Sequence, residues 1–134
     1  MKNTSETQDF AFVTTALLTL ISSLDKPQTP KEAKTESALI LSTSDLLRNY
    51  DYVMGVKNYL ERKLKNDFLN GPIEIFDTIG KIKLRPDHVS LAIDIGVRYL
   101  KKNKRITQDK ISVIEEVSER LGKPFREKLS YWLK

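Results

Sequence analysis

The sequence contains no cysteine and only one histidine, His88. Without thiols the chain has no disulfide, no cysteine nucleophile and no cysteine-bound zinc, and a single imidazole excludes a histidine-rich metal site. The Walker-type, G-x-G-x-x-G and H-E-x-x-H patterns are missing as well. The common sequence signatures of metalloenzymes and nucleotide-binding enzymes are therefore absent.

Long hydrophobic runs are also lacking. The longest uncharged stretch, FAFVTTALLTLISSL at residues 10–24, has fifteen residues, of which five are serine or threonine. An α-helix needs roughly 20 apolar residues to cross a bilayer, and no basic segment leads into a cleavage site, so a signal peptide is not expected. We interpret the stretch as a buried helix, with a membrane-associated segment as the alternative. We expect a cytoplasmic protein without a transmembrane segment.

The composition suits a soluble globular protein, with 40% hydrophobic and 31% charged residues. We expect a single domain over residues 1–134, in which residues 1–8 form a flexible N-terminus. The net charge of +5 is uneven, because residues 1–46 carry four basic side chains against six carboxylates and residues 47–134 carry nineteen against twelve. The positive field of the longer part favours anionic partners.

Apolar residues recur at helical spacing, and no stretch alternates with the two-residue period of a strand. The sequence therefore predicts an all-α fold, a compact bundle of about seven helices. The residues expected to face the core include Ala33, Ala38 and Leu41 of the second helix and Ile73 of the fourth. Start and stop signals place the helices at about 5–24, 30–48, 51–67, a short helix from 72, 86–100, 108–121 and 125–134.

Two helix–loop–helix units resemble one another. Their loops read LDKPQTPKE at 24–32 and KNKRITQDK at 102–110, and each lies between a long apolar helix and an amphipathic one. Thr29 and Thr107 are N-cap candidates, and Glu32, three residues after Thr29, completes a capping box. Aligned on the two threonines, Glu32 corresponds to Lys110, so the bundle is predicted to contain a pseudo-repeat.

With these loops the chain resembles the TerB-like domains of bacterial tellurite-resistance and related stress proteins. Each half of such a domain is similar to A-D-G-x-[IV]-[ST]-x-x-E between apolar helices, and the corresponding stretches here are SLDKPQTPKE and KKNKRITQDK. SERLGKPF at 118–125 is similar to the end of the second repeat. The resemblance covers most of residues 10–125 and implies a helical domain with a role in stress response.

The resemblance also implies acidic loops that bind a metal ion. The first loop keeps Asp25 and Glu32, but the second has Asn103 and Lys110 at the matching positions. Hard cations require several converging oxygen ligands, six to eight for calcium. Asp25 and Glu32 are thus at most a vestigial metal site, or simply a turn and a capping box. We predict weakened or lost metal binding and no cofactor.

The second loop is strongly basic, and two interpretations of it stay open. In the first, Thr107 and the first amides of the next helix bind an anion with the help of the surrounding cations. In the second, Lys101 and Lys102 interact favourably with the dipole at the C-terminus of the preceding helix, and the other loop residues form a solvated turn. Tyr99 is the one aromatic residue close enough to stack on a base. The candidate anion-binding or partner-binding residues are Arg98, Lys101, Lys102, Lys104, Arg105 and Lys110.

The remaining candidates favour structural roles. His88 is expected at the surface or partly buried, and the carboxylates from Glu115 to Glu119 are expected on a solvated helix face. The last helix, with Trp132, either docks on the core or presents an apolar face to a partner. An enzyme would need two or more carboxylates to converge with His88 in a cleft, and no spacing in the sequence predicts this. We do not expect an enzyme.

The sequence-based hypothesis is a non-catalytic, TerB-like stress-response or regulatory protein that binds a protein partner. The alternative is a module that binds the DNA or RNA backbone through the basic loop at residues 98–105, where each neutralised phosphate steepens the salt dependence. Another polyanion is the third possible partner. The sequence leaves the oligomeric state open.

Overall fold

The computed structural model describes residues 4–23, 28–103 and 106–123, and these residues form helices and connecting turns without a strand. The predicted all-α bundle is confirmed, and none of the helices described is long and apolar enough to cross a membrane. The helices are α1 (Thr4–Ser23), α2 (Pro30–Ser42), α3 (Ser44–Arg48), α4 (Tyr50–Asn66), α5 (Gly71–Gly80), α6 (Pro86–Asn103) and α7 (Gln108–Arg120).

Helix α1, whose uncharged residues 10–23 predict a buried helix, is the centre of the bundle. It packs against α3, α4, α5, α6 and α7, and its residues from Val13 to Ser22 are buried without interruption. Helices α1 and α6 approach each other closely at Gly96, where an added Cβ would lie 2.8 Å from Leu17 Cδ2. Glycine at this position allows the two helices to approach one another.

The helix boundaries differ from the prediction within the second helix. The single helix expected at 30–48 is two helices, because Thr43 adopts an extended conformation (φ −105°, ψ 113°) that ends α2 and precedes α3. The helix expected at 125–134, with Trp132, lies outside the described residues. Seven helices are present among the described residues, because the second expected helix is divided in two.

The buried face of α2 was predicted wrongly. Leu41 was expected inside and is 53% exposed, whereas Glu32 and Glu36 are each only 2% exposed. A similar error concerns α5, where Ile73 is 55% exposed and Ile75 is buried. A prediction from hydrophobicity assigns leucine rather than glutamate to the core. A buried carboxylate is nevertheless stable when it has hydrogen bonds and an opposite charge inside the protein.

The predicted caps are present in both helix–loop–helix units. Thr29 Oγ1 accepts a hydrogen bond from the Glu32 amide at 3.1 Å, and Glu32 Oε1 accepts one from the Thr29 amide at 3.0 Å. Thr107 Oγ1 accepts a hydrogen bond from the Lys110 amide at 3.3 Å. The paired helices also match in length, with 20 and 18 residues in α1 and α6 and 13 in both α2 and α7.

Candidate functional site: the polar end of the bundle

The starts of α2 and α7 meet the C-terminal turns of α6 at one end of the bundle, where an internal cluster of polar side chains lies. We call this cluster the polar end. It contains side chains from α2, α4, α6 and α7 and from the residue that precedes the α2 cap. Its members are Gln28, Glu32, Glu36, Lys57, Tyr99 and Lys110.

The first contact of the polar end joins the two pseudo-repeated helix starts. Lys110 Nζ lies 3.3 Å from Glu32 Oε2, and both side chains are almost completely buried. Burial by itself would raise the pKa of Glu32, but hydrogen bonds from the backbone and hydroxyl of Thr29 and the nearby Lys110 ammonium outweigh it, so the pKa lies below its usual value. The carboxylate therefore stays ionised inside the protein.

The second contact lies one helical turn further along α2. Lys57 Nζ of α4 is 2.7 Å from Glu36 Oε1, and Gln28 Nε2 donates to Glu36 Oε2 at 2.9 Å. The same amide nitrogen lies 3.1 Å from the hydroxyl of Tyr99. Burial, reinforced by the charges of Glu36 and Glu32, raises the pKa of Tyr99 to about 12, so this phenol is neutral at physiological pH.

The charges of the polar end are balanced. Two carboxylates, Glu32 and Glu36, contact two ammonium groups, Lys110 and Lys57, respectively. Buried ions are tolerated when their partners and hydrogen bonds offset the desolvation. Across the part of the chain that the structure describes, no group of three or more histidines or carboxylates is arranged to hold a metal ion. The geometry found here is that of an internally neutralised polar network.

A further buried polar side chain at this end of the bundle is that of Asn103. Asn103, the last residue of α6, is 7% exposed, and neither its amide nitrogen nor its amide oxygen has a partner among the described residues. In the alignment of the two loops, Asn103 corresponds to Asp25, which lies outside the described residues. The structure therefore does not describe the candidate metal site of Asp25 and Glu32.

The predicted anion-binding residues that the structure describes are not all at the surface. Arg98 Nε pairs with Asp94 Oδ2 at 2.9 Å on the exposed side of α6. Lys101 and Lys102 are exposed and have no ion-pair partner among the residues described. Lys110 is buried by its contact with Glu32 and so cannot serve as a surface cation. Lys104 and Arg105 lie outside the described residues.

The start of α7 differs from the predicted anion site for a second reason. The Thr107 hydroxyl already accepts the hydrogen bond of the Lys110 amide. An anion at this helix start would therefore compete with the cap for the Lys110 amide, one of the first amides of the helix. This leaves Lys101 and Lys102 as the exposed cations of the candidate surface within the described part of the chain.

His88 is buried rather than at the surface, in a second polar contact distant from the basic loop in sequence. It is 2% exposed; its ring stacks on Phe10 with 4.6 Å between centroids, and its Nε2 lies 3.3 Å from Asp45 Oδ2. The Nδ1 atom has no hydrogen-bond partner among the described residues. A single carboxylate meets this imidazole, so the described residues do not supply the paired carboxylates that a His88-based active site would require.

The sequence-based interpretation missed Glu36, Lys57 and Gln28. The available signal was the spacing of Glu32 and Glu36, since residues four apart share one face of a helix. Because Glu32 is buried, Glu36 on the same face of α2 is buried as well. No sequence rule identifies Lys57 as its partner, because that contact depends on how α4 packs.

Comparison with protein-family models, characterised proteins and solved structures finds no match to this chain.

Proposed function

We propose that this chain is a non-catalytic, TerB-like helical module of the cytoplasm that binds a protein partner in a stress-response or regulatory role. The contact surface is the basic end of α6, represented by Lys101 and Lys102. Lys104 and Arg105 follow them in the sequence, outside the described residues, and are included in the proposal for their charge. Its metal binding is weakened or lost. The partner's matching surface is acidic.

The observation that carries the proposal is the separation of charge at this end of the bundle. The carboxylates Glu32 and Glu36 are buried and contact Lys110 and Lys57, whereas Lys101 and Lys102 remain exposed. The negative charges of Glu32 and Glu36 are therefore neutralised inside the protein and do not offset the exposed cations, although Asp109 in the first turn of α7 is exposed. An excess of exposed positive charge speeds the encounter with an acidic partner and selects against basic ones.

The contact between Glu32 and Lys110 supports the loss of metal binding. The ammonium group lies 3.3 Å from the carboxylate, where it supplies the positive charge that a metal ion would otherwise bring. A lysine donates hydrogen bonds and offers no lone pair when protonated, so position 110 adds no ligand. A cation entering here would have to displace a buried ammonium group.

A protein partner is favoured over single-stranded nucleic acid by the position of Tyr99. This ring is fully buried, and its hydroxyl accepts a hydrogen bond from Gln28 Nε2. The aromatic residue nearest to the basic loop is thus not available for base stacking, which supplies much of the affinity of single-strand binders. Binding to a phosphate backbone by charge alone remains the alternative.

A binding titration with three probes tests the proposal. Fluorescence anisotropy would measure binding of labelled poly-glutamate, mixed-sequence DNA and mixed-sequence RNA at about 50 and about 200 mM salt. In the test variant, Lys101, Lys102, Lys104 and Arg105 are all changed to serine. In the control variant, which carries the same net charge, four exposed basic residues on other elements are changed to serine: Arg48, Arg62, Lys65 and Lys83.

We expect the acidic peptide to bind the wild type and the control variant and to lose at least ~10-fold in affinity in the test variant, as expected when several charge contacts are removed. Tighter binding of DNA or RNA, lost in the test variant and at the higher salt concentration, would favour the nucleic-acid alternative. Equal binding by the test and control variants would contradict a role for the basic end.

A further inference from the structure

The first part of α2 is docked on the bundle without a large apolar side chain. Residues 30–38 read PKEAKTESA and include no leucine, isoleucine, valine or aromatic residue. The buried residues of α2 are Glu32, Glu36, Leu39 and Ile40, so both buried apolar side chains lie in its last turn. Helices in proteins are held mainly by the packing of an apolar face. We call residues 30–38 the strap.

Helix α7 provides a matched comparison for the strap. The two helices have the same length of 13 residues, and each begins at a threonine N-cap. The corresponding part of α7, residues 108–116, buries Ile111, Val113 and Ile114. Removal of such side chains from water stabilises a docked helix. The two helices therefore share their local design and differ in what holds them to the bundle.

Charged contacts hold the strap instead. Glu32 Oε2 lies 3.3 Å from Lys110 Nζ, and Glu36 Oε1 lies 2.7 Å from Lys57 Nζ. Undocking returns these groups to water, and the hydration that they recover offsets much of the lost attraction. A buried ion pair consequently holds a helix less firmly than well-packed apolar side chains of similar volume.

We propose that the strap opens locally, separating from the bundle while α1, α6 and α7 stay folded. The anchor of the opening helix is its last turn, where Leu39 and Ile40 remain packed in the core. Local openings of this kind involve the elements of a fold that bury the least apolar surface. An undocked helix as short as α2 is only marginally stable in water, so the strap also loses its helical hydrogen bonds when it opens.

Opening changes the charge that this end of the bundle presents. Lys57 and Lys110 lose their carboxylate partners and become open to water at the end where Lys101 and Lys102 are already exposed. The strap thus sets how many cations are accessible to an anionic molecule. The opening is a property of the chain by itself, so the inference does not depend on the proposed function.

Hydrogen exchange of single amides, followed by NMR on the wild-type protein, measures the opening. We expect the amides of residues 35–38 to exchange at least ~10-fold faster than those of residues 113–116, which occupy the same positions in α7, after correction for their intrinsic rates. Low concentrations of urea should barely alter the exchange of the strap, because a local opening exposes little surface. Amides of α6 that exchange by global unfolding should depend steeply on urea.

Three variants test what holds the strap closed. Lys57→Met leaves the buried Glu36 carboxylate without its ammonium partner and should speed the exchange of the strap ~10-fold or more. Glu36→Met/Lys57→Met replaces the pair by apolar side chains, and its strap should exchange at least as slowly as that of the wild type. Lys34→Met, which changes an exposed lysine of the strap, is the control and should have neither effect. Circular dichroism would verify that each variant is folded.

Four results would overturn the inference. Strap amides that exchange no faster than their counterparts in α7 would show that both helices are held equally firmly. Strap exchange that depends on urea as steeply as that of α6 would mean that α2 opens only with the whole protein. Unchanged strap exchange in Lys57→Met, or equal acceleration in Lys34→Met, would show that the charged contacts do not keep the strap closed. A double variant that exchanges as fast as Lys57→Met would contradict the weakness of the ion pair relative to apolar packing.

Discussion

The starts of α2 and α7 share one local design and differ in charge. In both, a threonine N-cap accepts a hydrogen bond from the amide three residues later. That third residue is Glu32 in α2 and Lys110 in α7, and the two side chains contact one another inside the protein. The comparison teaches that a pseudo-repeat can retain its backbone hydrogen bonds while its side chains diverge into complementary partners.

The largest expected effect comes from breaking this complementarity on one side only. Lys110→Met keeps much of the side-chain volume but leaves the buried Glu32 carboxylate without the ammonium group. Removing one member of a buried ion pair typically lowers the free energy of unfolding by about 3–5 kcal/mol. Urea unfolding of the variant would measure the loss, with Lys102→Met on the exposed side of α6 as the control. A loss below about 1 kcal/mol, within the range of an exposed pair, would show that the contact contributes little.

Exchanging the two charges tests whether the buried ion pair is stable in the reverse orientation. Glu32→Lys/Lys110→Glu retains the ion pair and moves the capping-box glutamate from α2 to α7. Lysine near the start of α2 opposes the helix dipole, whereas glutamate near the start of α7 favours it. We therefore expect unfolding free energy within about 1–2 kcal/mol of the wild type, well above that of Lys110→Met. A double variant as unstable as the single variant would mean that each charge depends on its own surroundings.

The two caps should differ in a smaller way. Thr29 takes part in a reciprocal capping box with Glu32, whereas Thr107 accepts a single, longer hydrogen bond of 3.3 Å. Loss of a threonine cap costs about 0.5–2 kcal/mol, and we expect Thr29→Ala in the upper half of this range and Thr107→Ala in the lower half. Thermal unfolding of both variants would test the order. An equal loss of stability in the two variants would indicate that the hydrogen bond from the Thr29 amide to Glu32 Oε1 does not add to the stability.

The smallest effect concerns the pH dependence of stability. The pKa of Glu32 is lower in the folded protein than its ordinary value of 4.5, so the unfolded chain takes up this proton first as the pH falls. The resulting stability is complete above about pH 4.5 and is lost as the pH drops through the folded-state pKa. The difference in unfolding free energy between wild type and Glu32→Gln should therefore narrow below pH 4.5. A parallel series with Glu61→Gln, on the exposed side of α4, is the control, and a difference that stays constant with pH would contradict the shift.

Much of the fold could be predicted because its signals are local. Thr29, Thr107 and Pro86 begin their helices near the expected positions. Gly122 ends α7 with a positive φ of 81°, and the amide of Lys123 donates back to the Ser118 carbonyl at 2.9 Å, as in a Schellman motif. Each of these features involves residues within a few positions of one another. Cap and turn chemistry therefore determines them without help from the rest of the chain.

The candidate site was predicted less well because its contacts are distant in sequence. The basic neighbours of Lys110 in the loop predict a surface cation, and the spacing of Glu32 from Thr29 predicts only the cap, not its buried partner. Their contact spans 78 positions. The same reason explains His88, whose partner Asp45 lies 43 positions away. A charged or polar residue is assigned to the surface by default, and only a partner inside the protein reverses this assignment.

The sequence by itself determined most of the helix starts and ends, that the apolar stretch of α1 is buried, and that the described part of the chain is all-α. These follow from caps, breakers and apolar periodicity, which act over one or two helical turns. The tertiary structure alone decided that α2 turns Glu32 and Glu36 inward and leaves Leu41 exposed. The physical reason is that burial of a charge depends on where its partner lies, and Lys57 and Lys110 reach these carboxylates only once α4 and α7 have packed.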